Sequence, residues 1–169
     1  RIYGILIIDI RYESVSLGRN GFKPHRAEDT LREKKGDCKD TAVLFKAMLR
    51  EIGIESKIVL VRAMMGRMEK AVPGPVIFNH AICLIPNLNG KPCFVDGTTD
   101  FFDIGEVPEM DQNASILIIG DDGKSEFGVL PAQRLRVAFV ADNPGQWMLH
   151  CHNTYHQDAG MMTRLDYTG

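Results

Sequence analysis

Cysteine is scarce here, tryptophan occurs once, and neither sign of charge is in excess. Four cysteines in 169 residues are too few for a disulfide framework to stand in for a hydrophobic core. Twenty basic and 22 acidic side chains leave a net charge of −2. They are mixed along the chain, with no basic stripe of the kind that tracks a phosphate backbone, so no nucleic-acid partner is expected. Apolar runs are short. Ile5–Ile8, even extended to Ile10 past Asp9, falls far below the about 20 residues a bilayer requires, and no membrane span is expected. No charged n-region leads into a long apolar stretch and a small-residue cleavage site. The chain starts at Arg1, however, so this excludes neither a cytoplasmic location nor an exported one. Internal repeats and low-complexity stretches are also lacking.

What is there is globular: 44% hydrophobic and 25% charged, enough for one domain with a true core and a small appendage. Residues 2–17 read as extended or mixed structure, followed by the turn cluster Gly18-Arg19-Asn20-Gly21. A short helix is expected over Ala27–Lys35, stopped at Gly36. The strongest helix runs from Cys38 to Ile52, because Ala42, Phe45, Leu49 and Ile52 recur at helical spacing. Asp37 is its N-cap, and Gly53 ends it. The period then changes. Ser56–Ala63, Phe78–Ile85, Pro92–Asp96 and Ser115–Ile119 read as strands, with turns at Asn87–Gly90 and Asp121-Asp122-Gly123. Met64–Pro75 is a loop that would form the floor of a site. A helix followed by antiparallel strands is an α+β pattern. After Pro131, Arg136–Val140, Trp147–His152 and Met161–Tyr167 read as further short strands.

Cys38 opens the strong helix. A helix N-terminus carries partial positive charge and free N–H groups, which favour a thiolate and can hold an oxyanion. A thiol nucleophile needs a base, and the base needs an orienting group. The next strand supplies His80 and the one after it Asp96. If those strands pair, His80 and Asp96 sit side by side; if the helix packs across them, the thiol meets the imidazole. Cys83 and Cys93, by contrast, read as buried small apolar residues.

Residues from about Ile10 to Ala132 resemble the bacterial transglutaminase-like (papain-like) cysteine enzyme superfamily. The resemblance is carried by Ile10-Arg11-Tyr12, Gly21-Phe22-Lys23-Pro24, Gly36-Asp37-Cys38-Lys39-Asp40, Phe78-Asn79-His80-Ala81 and Phe94-Val95-Asp96-Gly97-Thr98. The segment from Val107-Pro108 to Asp111-Gln112 fits the tail of such domains. The resemblance implies Cys38 as nucleophile, His80 as general base and acid, Asp96 as orienter, and acyl transfer from an amide or ester through a thioester. It implies no cofactor for this chemistry. Such domains usually carry more helix before the Ile-Arg-Tyr segment, so residues 1–132 are expected to be a domain truncated at its N-terminus.

A second constellation lies near the C-terminus. Three of the chain's five histidines fall within seven residues around a cysteine: His150, Cys151, His152 and His156, with Met161 following. Thiolate, imidazole and thioether are the ligand types of a blue-copper site. On a strand, His150 and His152 would point to the face opposite the Cys151 thiolate. The stretch from about Arg134 to Tyr167 resembles the C-terminal end of multicopper oxidases (laccases and their bacterial relatives). That resemblance implies copper, with Cys151, His156 and Met161 as type 1 ligands and His150 and His152 as type 3 ligands. Outside this string only His25 and His80 remain, too few for the family's eight-histidine trinuclear cluster. About 35 residues also cannot make a whole cupredoxin sandwich. The tail would complete copper sites only by recruiting His80, His25 or another chain.

The expected layout is therefore a transglutaminase-like core over 1–132 joined to a cupredoxin-like fragment over 133–169, a fusion of natural, metagenomic or engineered origin. Three functions follow. One is thiol acyl transfer or hydrolysis on a peptide or amide substrate. The others are a copper-dependent, laccase-like oxidation of small phenols and a copper-binding module without turnover. The unpaired strands of a sandwich fragment also invite homo-oligomerisation.

Overall fold

A computed structural model describes residues 1–14, 21–65, 67, 77–98, 102–132, 144–150 and 162–167, with only the backbone described at part of the last two segments. Its contacts divide the chain into two compact units, Arg1–Gln133 and Arg134–Gly169.

The first unit is built around a five-stranded antiparallel sheet. Its strands are β3 (Lys57–Val61), β4 (His80–Leu88), β5 (Lys91–Val95), β6 (Ser115–Ile119) and β7 (Ser125–Val129), in the spatial order β5-β4-β3-β6-β7. β3 is central because its Ile58, Val59 and Val61 carry β-branched side chains suited to a strand covered on both faces. Period-two alternation along β4 sends Cys83 and Ile85 into one buried cluster and Ile82 and Leu84 into another. The first cluster is shared with Leu44, Phe45 and Leu49 of α3 (Cys38–Glu51), which packs against β4. The fold class is thus α+β, as the sequence pattern implies.

Two expectations are corrected and one strand is added. Residues 2–9 form a helix, α1 (Ile2–Asp9), rather than extended or mixed structure. The isoleucine-rich composition favours a strand locally. Burial of Tyr3, Leu6 and Ile10 against α3 and β4 selects helical spacing instead. The second helix, α2 (Ala27–Glu33), ends earlier than Lys35 because Lys34 turns left-handed at φ 53°. Lys35–Gly36 then forms a short strand, β2, parallel to β1 (Arg11–Tyr12). Finally, β7 was absent from the sequence expectations. Its pattern Ser-Glu-Phe-Gly-Val is mostly exposed and lacks alternation, and it forms by pairing with β6 from Ser115↔Val129 to Ile119↔Ser125.

In the second unit, β8 (Gly145–His150) pairs antiparallel with β9 (Met162–Tyr167). The expected strand at 136–140 lies outside the described residues, as does most of the loop at 64–75. No helix among the described residues is long and apolar enough to cross a membrane.

Candidate thiol and metal centres

The N-terminus of α3 is held by a closed set of bonds. The Asp37 side chain accepts from the backbone N–H of Lys39 and of Asp40, and the Asp40 side chain accepts from the Asp37 N–H in return, a capping box. Asp40 is fully buried. It also accepts from the His25 N–H at 2.8 Å and faces His25 Nδ1 at 3.0 Å. Burial opposes its charge, but the His25 and Asp37 bonds outweigh it and hold the carboxyl below its usual range. Gly36 is required just before the cap: a Cβ there would lie 2.7 Å from the Asp40 Cβ and 3.1 Å from the Thr30 Cγ2. The glycine, the cap and the buried Asp40 together fix where Cys38 starts its helix.

His80 is the first residue of β4 and Asp96 follows the last residue of β5. The two strands are hydrogen-bonded neighbours. His80 Nε2 donates to Asp96 Oδ2 at 3.0 Å, both side chains being buried. The other Asp96 oxygen accepts from the Thr98 N–H at 2.9 Å and from the Thr98 hydroxyl at 2.7 Å. Burial resists the Asp96 charge, but His80 and Thr98 lower its pKa overall. Burial likewise opposes a charge on His80. Hydrogen bonds to Asp96 and to Cys38, with the charges of Asp96 and Asp111, override it and push the imidazole up to about 10. With Nε2 engaged by Asp96, Nδ1 is the nitrogen left for Cys38. The sequence-expected Cys38, His80 and Asp96 are therefore together.

Cys38 and His80 open onto a cleft of about 470 Å³ whose walls include Tyr12, Phe22, Val43, Leu60 and Phe78. Two residues at this centre escaped a role in the sequence reading. Tyr12 is raised in pKa by burial and by the neighbouring Cys38, Asp37 and Asp96. Asp111, in the 3-10 turn Glu109–Asp111, lies 3.8 Å from His80 Nε2. Both belong to motifs quoted above, but only the fold brings them to His80 and Cys38. Cys83 and Cys93 are buried free thiols, Cys83 pushed up to about 11 by burial.

Of the expected copper ligands, His150 ends β8 and only its backbone is described. Cys151, His152, His156 and Met161 lie outside the described residues. The two histidines outside this string are both engaged, His25 with Asp40 and His80 with Asp96.

Comparison with known proteins divides the chain in the same two directions. Residues 1–75 match the transglutaminase-like superfamily, and residues 102–168 match the multicopper oxidase family. The first match contains Cys38 but stops short of His80 and Asp96. The second begins within the five-stranded sheet unit, ahead of β6 and β7. Among curated relatives, the multicopper oxidase MmcO of Mycobacterium tuberculosis is 69% identical over 39 residues, 23% of this chain and 8% of that protein. A laccase of Arthroderma benhamiae is 42% identical over 43 residues, 25% of this chain and 7% of the laccase. Dihydrogeodin oxidase of Aspergillus terreus is 60% identical over 25 residues, 15% of this chain and 4% of that enzyme. The chain thus carries a transglutaminase-like segment and a multicopper oxidase segment, and it spans less than a tenth of each of these relatives.

Proposed function

We propose that the first unit is a cysteine-dependent acyl transferase or amide hydrolase, with Cys38 as nucleophile, His80 as general base and acid, and Asp96 as orienter. The observation that carries this reading is the setting of His80: Asp96 at 3.0 Å on Nε2, with Cys38 and His80 lining the same cleft. The Cys38 sulfur adds to a substrate carbonyl, and His80 gives a proton to the departing amine or alcohol, leaving a thioester. Water or an amine then attacks the thioester while His80 takes its proton, and the thiolate departs. The free N–H groups at the start of α3 would stabilise the oxyanion. Water as acceptor makes the enzyme an amidase or protease; an amine makes it a transglutaminase.

Peptide-mapped alkylation with iodoacetamide tests the pairing. Cys38 should react at neutral pH well ahead of the buried Cys83 and Cys93, and His80→Gln should slow it about tenfold or more. Cys38→Ala should abolish turnover of an activated amide or ester. Equal, sluggish alkylation of Cys38 with and without His80 would remove the basis for the triad.

A second reading concerns the C-terminal segment and is favoured by the 69% identity to MmcO over 39 residues. The donor set fits copper: Cys151, His156 and Met161 would hold a type 1 ion, with His150 and His152 toward a type 3 site. Bound copper would supply one-electron oxidation, and the laccase among the relatives suggests a small phenol as substrate. With His25 and His80 both held by buried aspartates, a second type 1 histidine would have to come from outside these residues. Copper content and visible spectrum after loading and dialysis test this. Retained copper with an intense thiolate-to-copper band, lost in Cys151→Ser and kept in Cys38→Ala, is the expected result. Colourless or dialysable copper would leave the segment a remnant.

A further inference from the structure

Asp111 has no part in the chemistry so far described. Its side chain is fully buried, and neither carboxylate oxygen has a hydrogen-bond partner among the described residues. Such an orphaned acceptor is costly and calls for an explanation. The turn that carries it is firmly placed. The Asp111 N–H donates to the Pro108 carbonyl at 3.0 Å, the Ala114 N–H to the Asp111 carbonyl at 3.2 Å, and the Met64 N–H to the neighbouring Met110 carbonyl at 2.7 Å. From there Oδ2 lies 3.8 Å from His80 Nε2, the same nitrogen that binds Asp96 at 3.0 Å. The ligand-type atoms of His80, Asp96 and Asp111 all lie within 4.8 Å of one another.

We propose that Asp111 is a positioning residue of the thiol centre, a second carboxylate that keeps His80 charged and turned toward Asp96. The inference rests on the triad reading. The titratable groups facing His80 are Cys38 from α3, Asp96 from the end of β5 and Asp111 from the 3-10 turn. Tyr12 from β1 lies against Cys38 and Asp96. The nearby cation Lys39 is already paired with Asp37. His80 is thus the positive charge to which both buried carboxylates respond, and a charge at 3.8 Å in a buried site is weakly screened. Burial raises the Asp111 carboxyl to about 6, with His80 pulling it down and Asp96 pushing it up. The support given to His80 is therefore present above about pH 6 and lost below it, as Asp111 takes up a proton.

The test is a pH titration of the His80 ring by NMR on the full chain, with His80→Gln assigning the signal. Asp111→Asn should lower the His80 midpoint by about one unit, a tenfold loss of proton affinity, and Asp111→Glu should recover part of it. An unchanged midpoint in a well-folded Asp111→Asn protein overturns the proposal. Should that variant not fold, the reciprocal measurement decides on the native side chain: the Asp111 carboxyl should titrate higher in His80→Gln than in the wild type. No movement there also overturns it. A wild-type His80 midpoint that shifts on adding a chelator would assign the two carboxylates to a bound cation, again against the proposal. Loss of the triad alone would show differently: His80 and Asp111 would remain coupled, while Cys38 alkylation ignored His80→Gln.

Discussion

At the scale of single residues, the chemistry turns on how buried charges are satisfied. Asp40 and Asp96 each accept several hydrogen bonds and so remain ionised despite burial. His80 is charged because its partners outweigh desolvation. The sign of the pH effect follows. A folded-state pKa of about 10, above the usual histidine value of 6.5, contributes stability that is complete below pH 6.5. That contribution is lost as the pH rises through about 10. Melting temperatures across pH 6 to 10 should therefore fall in the wild type and fall less in His80→Gln. Asp96 works in the opposite sense. Its lowered pKa contributes stability above its ordinary value of 3.8 that is lost as acid protonates it. Removing the cap with Asp37→Ala should cost about 1 kcal/mol, by analogy with other N-caps. Denaturant titration would measure it, and Cys38 alkylation should slow in the same variant. The Gly-Asp-Cys-Lys-Asp string was legible as a helix start bearing a cysteine. The work of its second aspartate was not, because Asp40 is satisfied by His25, 15 residues away in sequence.

At the scale of elements, the site depends on α1, which the sequence pattern had made extended or mixed. The Tyr3 hydroxyl lies 2.8 Å from the Phe102 carbonyl and 3.2 Å from the Asp96 carbonyl. The helix therefore pins the backbone on which the Asp96 carboxylate sits. Tyr3→Phe should cost about 1 kcal/mol in stability and slow Cys38 alkylation by loosening Asp96. Unaltered alkylation would show that α1 acts on folding alone. Gly36→Ala tests the other support. Its Cβ would collide with Asp40 at the root of α3, an overpacking expected to cost roughly 1–3 kcal/mol. A urea transition left in place would disprove the clash. The periods of α3, β3 and β4 were readable because each buries a regular stripe. β7 was not, since a mostly exposed edge strand carries little hydrophobic signal and owes its form to β6.

At the scale of the whole molecule, two compact units, Arg1–Gln133 and Arg134–Gly169, hold the two sets of candidate residues. Cys38, His80, Asp96 and Asp111 all belong to the first, while the copper-type donors His150, Cys151, His152, His156 and Met161 belong to the second. We accordingly expect a chain ending at Gln133 to keep the alkylation behaviour of Cys38 and to lose any dialysis-resistant copper. Peptide mapping and metal analysis on that one variant check both. Loss of Cys38 reactivity in a folded truncation would mean that the units depend on each other.

Local order in this chain sufficed to reveal its α+β class, the helix that begins at Cys38 and the two sets of chemically matched residues. Those features rest on periodicity, capping and residue type, which are properties of neighbours in sequence. The helical state of residues 2–9, the β7 edge, and the approach of Asp111 and Tyr12 to the thiol centre came from the fold. The β7 edge depends on pairing with its neighbour β6, and the others on contacts between segments far apart in the chain, where burial and charge outweigh local preference.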